Sequence, residues 1–263
     1  MNRLTELRQH LDWKGSLPSI LDLERLRASF PPSELINIVH GGTRLAELRR
    51  RIMTNVDRDP ILCKAAAAVE MSREEERYAS IKATARIIEL FRCTDAESRS
   101  ILEWILVTAY PTAYGRLSVH TVLFEPAVRL LGSEEQVAEW DLRMRNFSVL
   151  GCFALSEVAH ASNAAGVETM AEFDPAKQEF VITSPRAESG KFWIGAAGSS
   201  ATHAVVYARL IVAGIDHGVN AFIVQLRNIV DGSFLPGVVC KDTGPKMGRN
   251  GVRDTALCSS SHC

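Results

Sequence analysis

Helical spacing of apolar residues dominates the first half of the chain. Residues 72–75 (SREE) match a capping box, in which the Ser72 hydroxyl accepts a backbone hydrogen bond from the third helical residue and Glu75 reaches back. Behind this start, four apolar residues recur at intervals of three and four: Tyr78, Ile81, Ala85 and Ile88. The pattern predicts one face of a helix that runs to about residue 91.

Further helices are predicted as far as residue 147. One covers roughly residues 98–109 and ends before Pro111, because a proline disfavours helical geometry in the residue that precedes it. An apolar stretch at 122–131 closes at Gly132. Residues 133–136 (SEEQ) then repeat the capping pattern. Three apolar residues mark the buried face of the helix that follows: Val137, Trp140 and Met144.

The pattern changes near residue 148. Residues 169–183 predict two short strands joined by a turn at Asp174 and Pro175, because proline presets φ at the corner and aspartate bonds its own backbone. Residues 202–212 and 219–226 are rich in β-branched residues and flank a glycine-containing turn, which predicts a hairpin. Helices first and strands afterwards predict an α+β fold with two domains, at 1–147 and from 148 onward.

Length and charge narrow the class of protein. The 263 residues are 46% apolar, enough for a core that hides roughly 70–75% of the unfolded surface. Lys and Arg number 30 against 31 Asp and Glu, so charge gives no argument for nucleic acid or a membrane surface as partner. No apolar run reaches the ~18 residues of a transmembrane helix, and the N-terminus lacks the apolar stretch of a secretory signal. A soluble protein is expected.

Metal and nucleotide motifs are not indicated. The six cysteines form no Cys-x-x-Cys pair and the histidines do not cluster at ligand spacing, so no zinc site is predicted. Scattered thiols in a chain with its own core are typical of a reducing compartment. No Gly-x-Gly-x-x-Gly lies between a predicted strand and a helix, so a Rossmann site is not indicated.

The order of several short motifs is more specific than the periodicity. The main stretch is residues 151–163 (GCFALSEVAHASN), followed by GVET at 166–169, DP at 174–175, QEFVI at 178–182, SP at 184–185, KFWIG at 191–195 and KMGRNG at 246–251. In this order and spacing, the motifs resemble the middle β domain of the acyl-CoA oxidase family and, more distantly, that of acyl-CoA dehydrogenases. Residues 22–42, with SFPP at 29–32, resemble the oxidase N-terminal extension.

The resemblance implies a fold and a set of cofactor contacts. The fold would be an N-terminal helical domain followed by a β-barrel-like middle domain that ends at residue 257. Ser156 stands at the family's usual threonine position and would bond the isoalloxazine ring of FAD, where donors stabilise the charge of the reduced ring. Trp193 would pack against that ring. Ser162 would lie near the FAD pyrophosphate and the pantetheine arm of acyl-CoA, where a small hydroxyl can donate to a phosphate oxygen.

Structural explanations compete with these roles. Ser156 would otherwise satisfy its own backbone in a turn, and Trp193 would otherwise belong to the core of the β domain. His160 is interpreted as structural rather than as a general base, because the family assigns its base elsewhere.

Gly195 favours an oxidase over a dehydrogenase. Dehydrogenases of the superfamily place a threonine there beside the reactive flavin nitrogen, and its removal leaves space for O2. The implied activity is FAD-dependent oxidation of fatty acyl-CoA to trans-2-enoyl-CoA, with O2 reduced to H2O2, by a peroxisomal homodimer. Two alternatives stay open: an acyl-CoA dehydrogenase, and a non-catalytic fragment or splice product that pairs with the full-length enzyme.

Two departures from the family pattern change the expectations. The loop has Ala159 and Ala161 where the family commonly has glycine on both sides of the histidine, and a positive φ at either would cost ~1–2 kcal/mol. Residues 258–263 (CSSSHC) resemble nothing in the family and are not a peroxisomal address of the Ser-Lys-Leu type. We interpret them as a divergent tail. The family's catalytic glutamate and its C-terminal helical domains would lie beyond residue 263.

Overall fold

The structure, a computed structural model, describes residues 20–21, 24, 27, 29–65, 71–161, 163–252 and 255–262. It divides into two compact units, residues 1–55 and 56–263. Helix α1 (Pro32–Val39) lies in the first unit, and α2 (Thr43–Arg58) begins there. The two helices are joined through Gly41 and Gly42, whose φ angles of 80° and 112° suit glycine. Part of the proposed N-terminal extension, residues 22–23, 25–26 and 28, lies outside the described residues.

The helices of the second unit precede its strands. In chain order they are α3 (Leu62–Ala65), α4 (Arg73–Cys93), α5 (Ala96–Ala109), α6 (Pro111–Ser118), a π-helical segment (Val119–Phe124), α7 (Glu125–Leu131) and α8 (Glu134–Arg145). Helix α5 ends at Ala109, as Pro111 predicts, and begins two residues earlier than predicted. The earlier start has a cause, because the Asp95 carboxylate accepts a 2.9 Å hydrogen bond from the Ser98 amide.

Both predicted capping boxes are confirmed. The Ser72 backbone N–H donates to the Glu75 carboxylate at 2.8 Å, and the Ser133 N–H donates to the Gln136 side-chain oxygen at 2.9 Å. In each box, the serine hydroxyl accepts the reciprocal bond from the third helical amide. These local bonds explain where α4 and α8 begin.

The apolar stripe that predicts α4 does not form its buried face. Tyr78 and Ile81 are 64% and 46% exposed. The buried positions lie on a neighbouring face: Ser80, Ala83, Ile87 and Phe91. The small residues at its start allow α6 to approach closely, and the Thr84 hydroxyl donates to the Ala113 carbonyl of α6 at 3.2 Å. Packing against other helices therefore decides which face of α4 is covered.

Eight strands follow within the described residues. They are β1 (Gly151–Ala154), β2 (Met170–Asp174), β3 (Glu179–Thr183), β4 (Lys191–Ile194), β5 (His203–Val212), β6 (Ile215–Gln225), β7 (Val238–Asp242) and β8 (Thr255–His262). Both predicted hairpins, β2–β3 and β5–β6, are confirmed as antiparallel pairs. The second turns at Ala213 and Gly214, both with positive φ, which matches the right-handed twist of the strands.

Strand β5 organises the sheet. Strands β1 and β2 run parallel to it along one edge, and β6 is antiparallel along the other. Strand β3 continues from β2, and β8 pairs with β3, β4 and β7. The segment interpreted as a divergent tail therefore continues this mixed sheet as far as residue 262. Helices followed by a mixed sheet confirm the α+β class; the proposed boundary at 147/148 remains a prediction.

A buried histidine joins the helices to the first strand. His120, in the π-helical segment, accepts the Gly151 amide at Nδ1 (2.9 Å) and lies 3.2 Å from the Met144 carbonyl at Nε2. An N–H facing Nδ1 and a carbonyl facing Nε2 place the proton on Nε2. The Phe124 ring stacks on the imidazole, and it lies in a core cluster with Val205 of β5. Contacts with His120 and Phe124 in the helical region thus fix the start of β1.

A second buried histidine makes stability depend on pH. His203, at the start of β5, is 6% exposed, and burial followed by the charge of Arg143 lowers its pKa from 6.5 to about 4. As pH falls, His203 takes up a proton in the unfolded chain before it does so in the folded protein. The free energy of unfolding therefore has its full value above pH ~7 and decreases as pH falls from 6.5 towards 4. The loss attributable to His203 is ~2 kcal/mol at pH 5. Urea unfolding at pH 8 and pH 5 should show a smaller pH effect for His203→Gln; an equal effect would contradict the assignment.

Candidate functional site

Trp193 lies in an irregular part of β4. The β4–β8 register shifts between Lys191 and Ile194, and Trp193 has a φ of 66°. Positive φ is uncommon in a bulky residue, and such strain concentrates at binding and catalytic sites. A bulge also redirects the side chains that it carries. The Trp193 side chain is 57% exposed, so it does not belong to the core of the β structure.

Ser156 lies beside this bulge. Its carbonyl accepts the Phe192 amide at 2.9 Å, which places Ser156 and Trp193 on adjoining segments. Ser156 is half-buried, and among the described residues its hydroxyl has no hydrogen-bond partner. This geometry argues against the alternative in which Ser156 satisfies its own backbone. The hydroxyl is available to a ligand, and it lies on a segment bonded to the one that carries the exposed Trp193 ring.

The other two predicted contacts have different outcomes. Gly195 is half-buried and follows β4 directly, two residues after Trp193. Ser162 lies outside the described residues. The structure therefore brings three of the four predicted positions together at one edge of the sheet.

A buried lysine lies beneath this edge. Lys191, the residue before Phe192, has a side chain that is 3% exposed. Its ammonium donates to the Leu155 carbonyl (3.1 Å), the Tyr207 carbonyl (2.6 Å) and the Glu157 carboxylate (3.0 Å). All three ammonium hydrogens are thus used, although burial lowers the Lys191 pKa.

The Glu157 carboxylate is fully buried and receives four donors. They are the Lys191 ammonium at 3.0 Å, the Thr169 hydroxyl at 2.6 Å, and the amides of Glu168 and Thr169 at 2.9 and 3.0 Å. Burial raises the pKa of this carboxyl, but the combined hydrogen bonds outweigh burial and lower it. Sequence reasoning missed this pair, because a charged residue between apolar ones looks the same whether its partner is near or absent.

His160 and Arg186 both bond to the carboxylate of Glu168. The His160 Nε2 lies 2.9 Å from the Glu168 carboxylate, and the Arg186 Nε donates to the other oxygen at 2.6 Å. The hydrogen bond from Arg186, which has the larger effect, and the one from His160 lower the Glu168 pKa to about 2. His160 is thus tied to Glu168, and its structural role remains a prediction.

The strain anticipated in this loop occurs at Ala161, which has a φ of 47°, and not at Ala159. Replacing Ala161 with glycine removes a penalty of ~1–2 kcal/mol and adds freedom to the unfolded chain. We expect a net gain in stability of about 0.5–1 kcal/mol, measured by urea unfolding. Ala159→Gly is the matched control and should lose about 0.5–1 kcal/mol, since only its unfolded-state term changes. Equal effects of both substitutions would contradict this account.

A separate cleft of about 260 Å³ lies among α4, the start of α6 and the KMGRNG loop; Glu76, Thr112, Met247 and Arg249 are among its lining residues. Arg116, which is 4% exposed, connects this region to the β4 edge. Its guanidinium donates to the hydroxyls of Ser80 (3.0 Å) and Ser199 (2.7 Å) and to the Gly251 carbonyl.

The described residues contain neither a metal-binding cluster nor a membrane-spanning helix. No group of three or more His, Cys, Asp or Glu residues there could hold a metal ion. None of the helices described has both the length and the apolar character to cross a membrane.

Comparisons with known proteins define the class. The family model described as acyl-coenzyme A oxidase N-terminal matches residues 31–150. Peroxisomal acyl-coenzyme A oxidase 1 of Arabidopsis thaliana is 40% identical over 230 residues, which are 86% of this chain and 33% of that protein. The crystal structure of acyl-CoA oxidase 3 from Yarrowia lipolytica superposes with a TM-score of 0.86 at 33% identity, covering 92% of this chain and 35% of that one.

A third relative carries ligands. Acyl-CoA oxidase-2 of Caenorhabditis elegans, solved with FAD, ascaroside-CoA and ATP, matches with a TM-score of 0.81 at 30% identity, over 95% of this chain and 38% of that one. The fold and these matches define a chain that is similar to acyl-CoA oxidases and spans about a third of the length of these relatives. The match covers the N-terminal and middle parts of acyl-CoA oxidases, as the motif order predicts.

Proposed function

We propose that this chain forms one wall of the FAD and acyl-CoA site of a peroxisomal acyl-CoA oxidase. The reaction is oxidation of a fatty acyl-CoA to the trans-2-enoyl-CoA, with O2 reduced to H2O2. The observation that carries the proposal is the strained, exposed Trp193 on a segment whose backbone is bonded to that of Ser156. The peroxisomal assignment rests on relatives that carry that word in their names.

The residues present fit a flavin ring. An open aromatic face suits stacking on a flat heteroaromatic system, and a hydroxyl without a partner among the described residues suits an oxygen or nitrogen at the ring edge. When bound, FAD would supply the acceptor for the two electrons of the reaction. Trp193 orients the ring, Ser156 donates to its edge, and Gly195 leaves room for O2 beside it. Ser162 is assigned to the FAD pyrophosphate and the pantetheine arm.

The proposed chemistry leaves proton removal to another part of the protein. His160 is bonded to Glu168, and the resemblance places the catalytic glutamate in the part of the relatives that this chain does not cover. We also propose that the full-length enzyme is a homodimer, as the family resemblance implies. In this proposal, the chain described here binds and orients FAD and acyl-CoA.

Flavin titration tests the proposal. FAD fluorescence is followed as the 263-residue chain is added, with Trp193→Leu as the variant and Trp104→Leu as the control, since Trp104 is a 68% exposed tryptophan on α5. We expect saturable quenching that Trp193→Leu weakens roughly three- to tenfold and Trp104→Leu leaves unchanged. Absence of saturable quenching by the unaltered chain, or equal effects of both substitutions, would overturn the proposal.

Desalting after incubation with FAD separates a complete site from a partial one. Flavin bands that survive and are bleached by acyl-CoA without an added acceptor would show that all catalytic groups lie within residues 1–263. A colourless product that still quenches at equilibrium would show one wall of the site. It would also favour the alternative of a fragment that pairs with the full-length enzyme.

A further inference from the structure

We infer that Lys191 and Glu157 are positioning residues, whose buried ion pair holds the segments of Ser156 and Trp193 in register. The inference rests on the proposed function, because those two segments carry the surface to which the flavin is assigned. Neither charged group reaches the surface itself, since their side chains are 3% and 0% exposed.

The ammonium links the two segments directly. Lys191 precedes Trp193 by two residues, and its Nζ donates to the carbonyl of Leu155, the residue before Ser156. The same Nζ is fixed from below by the Tyr207 carbonyl of β5 at 2.6 Å. The Lys191 side chain thus links β4, where it begins, to the segment of Ser156 and to the central strand β5.

Backbone hydrogen bonds pair the two segments as a short antiparallel ladder, and the ion pair joins opposite residues of that ladder. The Phe192 amide donates to the Ser156 carbonyl at 2.9 Å, and the Val158 amide donates to the Gly190 carbonyl at 3.1 Å. Glu157 and Lys191 form the bridge between these two bonds. The register shift interrupts the β8 pairing between Lys191 and Ile194, so this ladder is the contact that sets the position of residues 192 and 193.

The carboxylate extends the linkage to β2. The amides of Glu168 and Thr169 donate to Glu157, and Thr169 leads directly into that strand. Buried ion pairs add little to stability compared with an apolar pair of similar volume, but each of their bonds has a defined direction. An apolar pair would fill the same space without defining the register. The pair is therefore better suited to fixing the relative position of the two segments than to raising the stability of the protein.

The experiment compares two double substitutions. Lys191→Met with Glu157→Gln removes both charges of the positioning pair together. Asp59→Asn with Arg86→Met is the matched control, because it removes an ion pair of 2.7 Å, with Asp59 6% exposed, in the helical part of the second unit. Both proteins and the unaltered chain are examined by amide hydrogen exchange and by FAD titration.

We expect the positioning pair to have a local effect. In its double variant, the amides of Phe192 and Val158 exchange about tenfold faster than the change in global stability, read from the amides of β5 and β6, accounts for, and FAD binds about tenfold more weakly. The control variant leaves the amides of Phe192 and Val158 and the FAD affinity unchanged.

Other results overturn the inference. Unchanged exchange at Phe192 and Val158 would show that the pair does not set the register. Equal acceleration throughout the sheet, or an equal loss of FAD affinity in the control, would show a general structural role. If the unaltered chain does not bind FAD at all, the proposed function fails, and the exchange rates at Phe192 and Val158 decide the positioning role independently.

Discussion

Replacing Lys191 with methionine should destabilise the protein by about 3–5 kcal/mol. The substitution leaves the fully buried Glu157 carboxylate without its counter-charge, and it removes the donor from the carbonyls of Leu155 and Tyr207. A buried charge without compensation is among the most destabilising changes known for a single residue. The free energy of unfolding, from guanidinium titration followed by circular dichroism, measures the loss.

Removal of the second charge provides the control. Adding Glu157→Gln to Lys191→Met should recover stability to within about 2 kcal/mol of the unaltered chain, because no unpaired charge remains. Recovery is incomplete, since the amides of Glu168 and Thr169 donate to different oxygens of the Glu157 carboxylate, and glutamine would place an NH2 donor at one of those two positions. A loss below 1 kcal/mol for Lys191→Met alone would show that water reaches the carboxylate.

Gly151→Ala should cost about 3 kcal/mol or more, although it adds only one methyl group. An added Cβ would lie 2.0–2.3 Å from three ring atoms of Phe124, whose side chain is fully buried. Neither side can yield, because the Gly151 amide is bonded to His120 and its backbone is paired with His203 of β5. The midpoint of urea unfolding should fall accordingly.

Two further variants test the steric origin of this effect. Phe124→Leu should make Gly151→Ala less costly in the double variant than in the unaltered background, since the smaller side chain vacates part of the space. Gly248→Ala is the control for glycine replacement itself, because its added Cβ meets nothing within 4 Å and should change stability by less than about 0.5 kcal/mol. Additive effects of Phe124→Leu and Gly151→Ala would rule out the clash.

Element boundaries could be predicted because they depend on neighbours in the chain. The capping bonds of Ser72 and Ser133 span three residues, and the β2–β3 turn is held by the Asp174 carboxylate bonding to the amides of Ala176 and Lys177. The buried face of α4 could not be predicted in the same way. Its apolar stripe is the more regular pattern, but burial depends on which helix packs where Ser80 and Ala83 leave room.

For the site, the sequence alone indicated the family and predicted the positions that contact the cofactor. The order of motifs predicted roles for Ser156, Ser162, Trp193 and Gly195, and the Ala161 position was recognised as a source of strain if its φ were positive. These conclusions need only residue types and spacing along the chain.

Only the tertiary structure decided how those positions are held. It showed the positive φ of Trp193, the burial of the Lys191–Glu157 pair across 34 residues of sequence, and the bonds from Arg116 to residues 83 and 135 positions away. The physical reason is that burial and pairing of charges depend on contacts between distant segments. Local periodicity carries no record of such contacts, because a charged residue in a strand has the same neighbours in sequence whether it meets water or a buried partner.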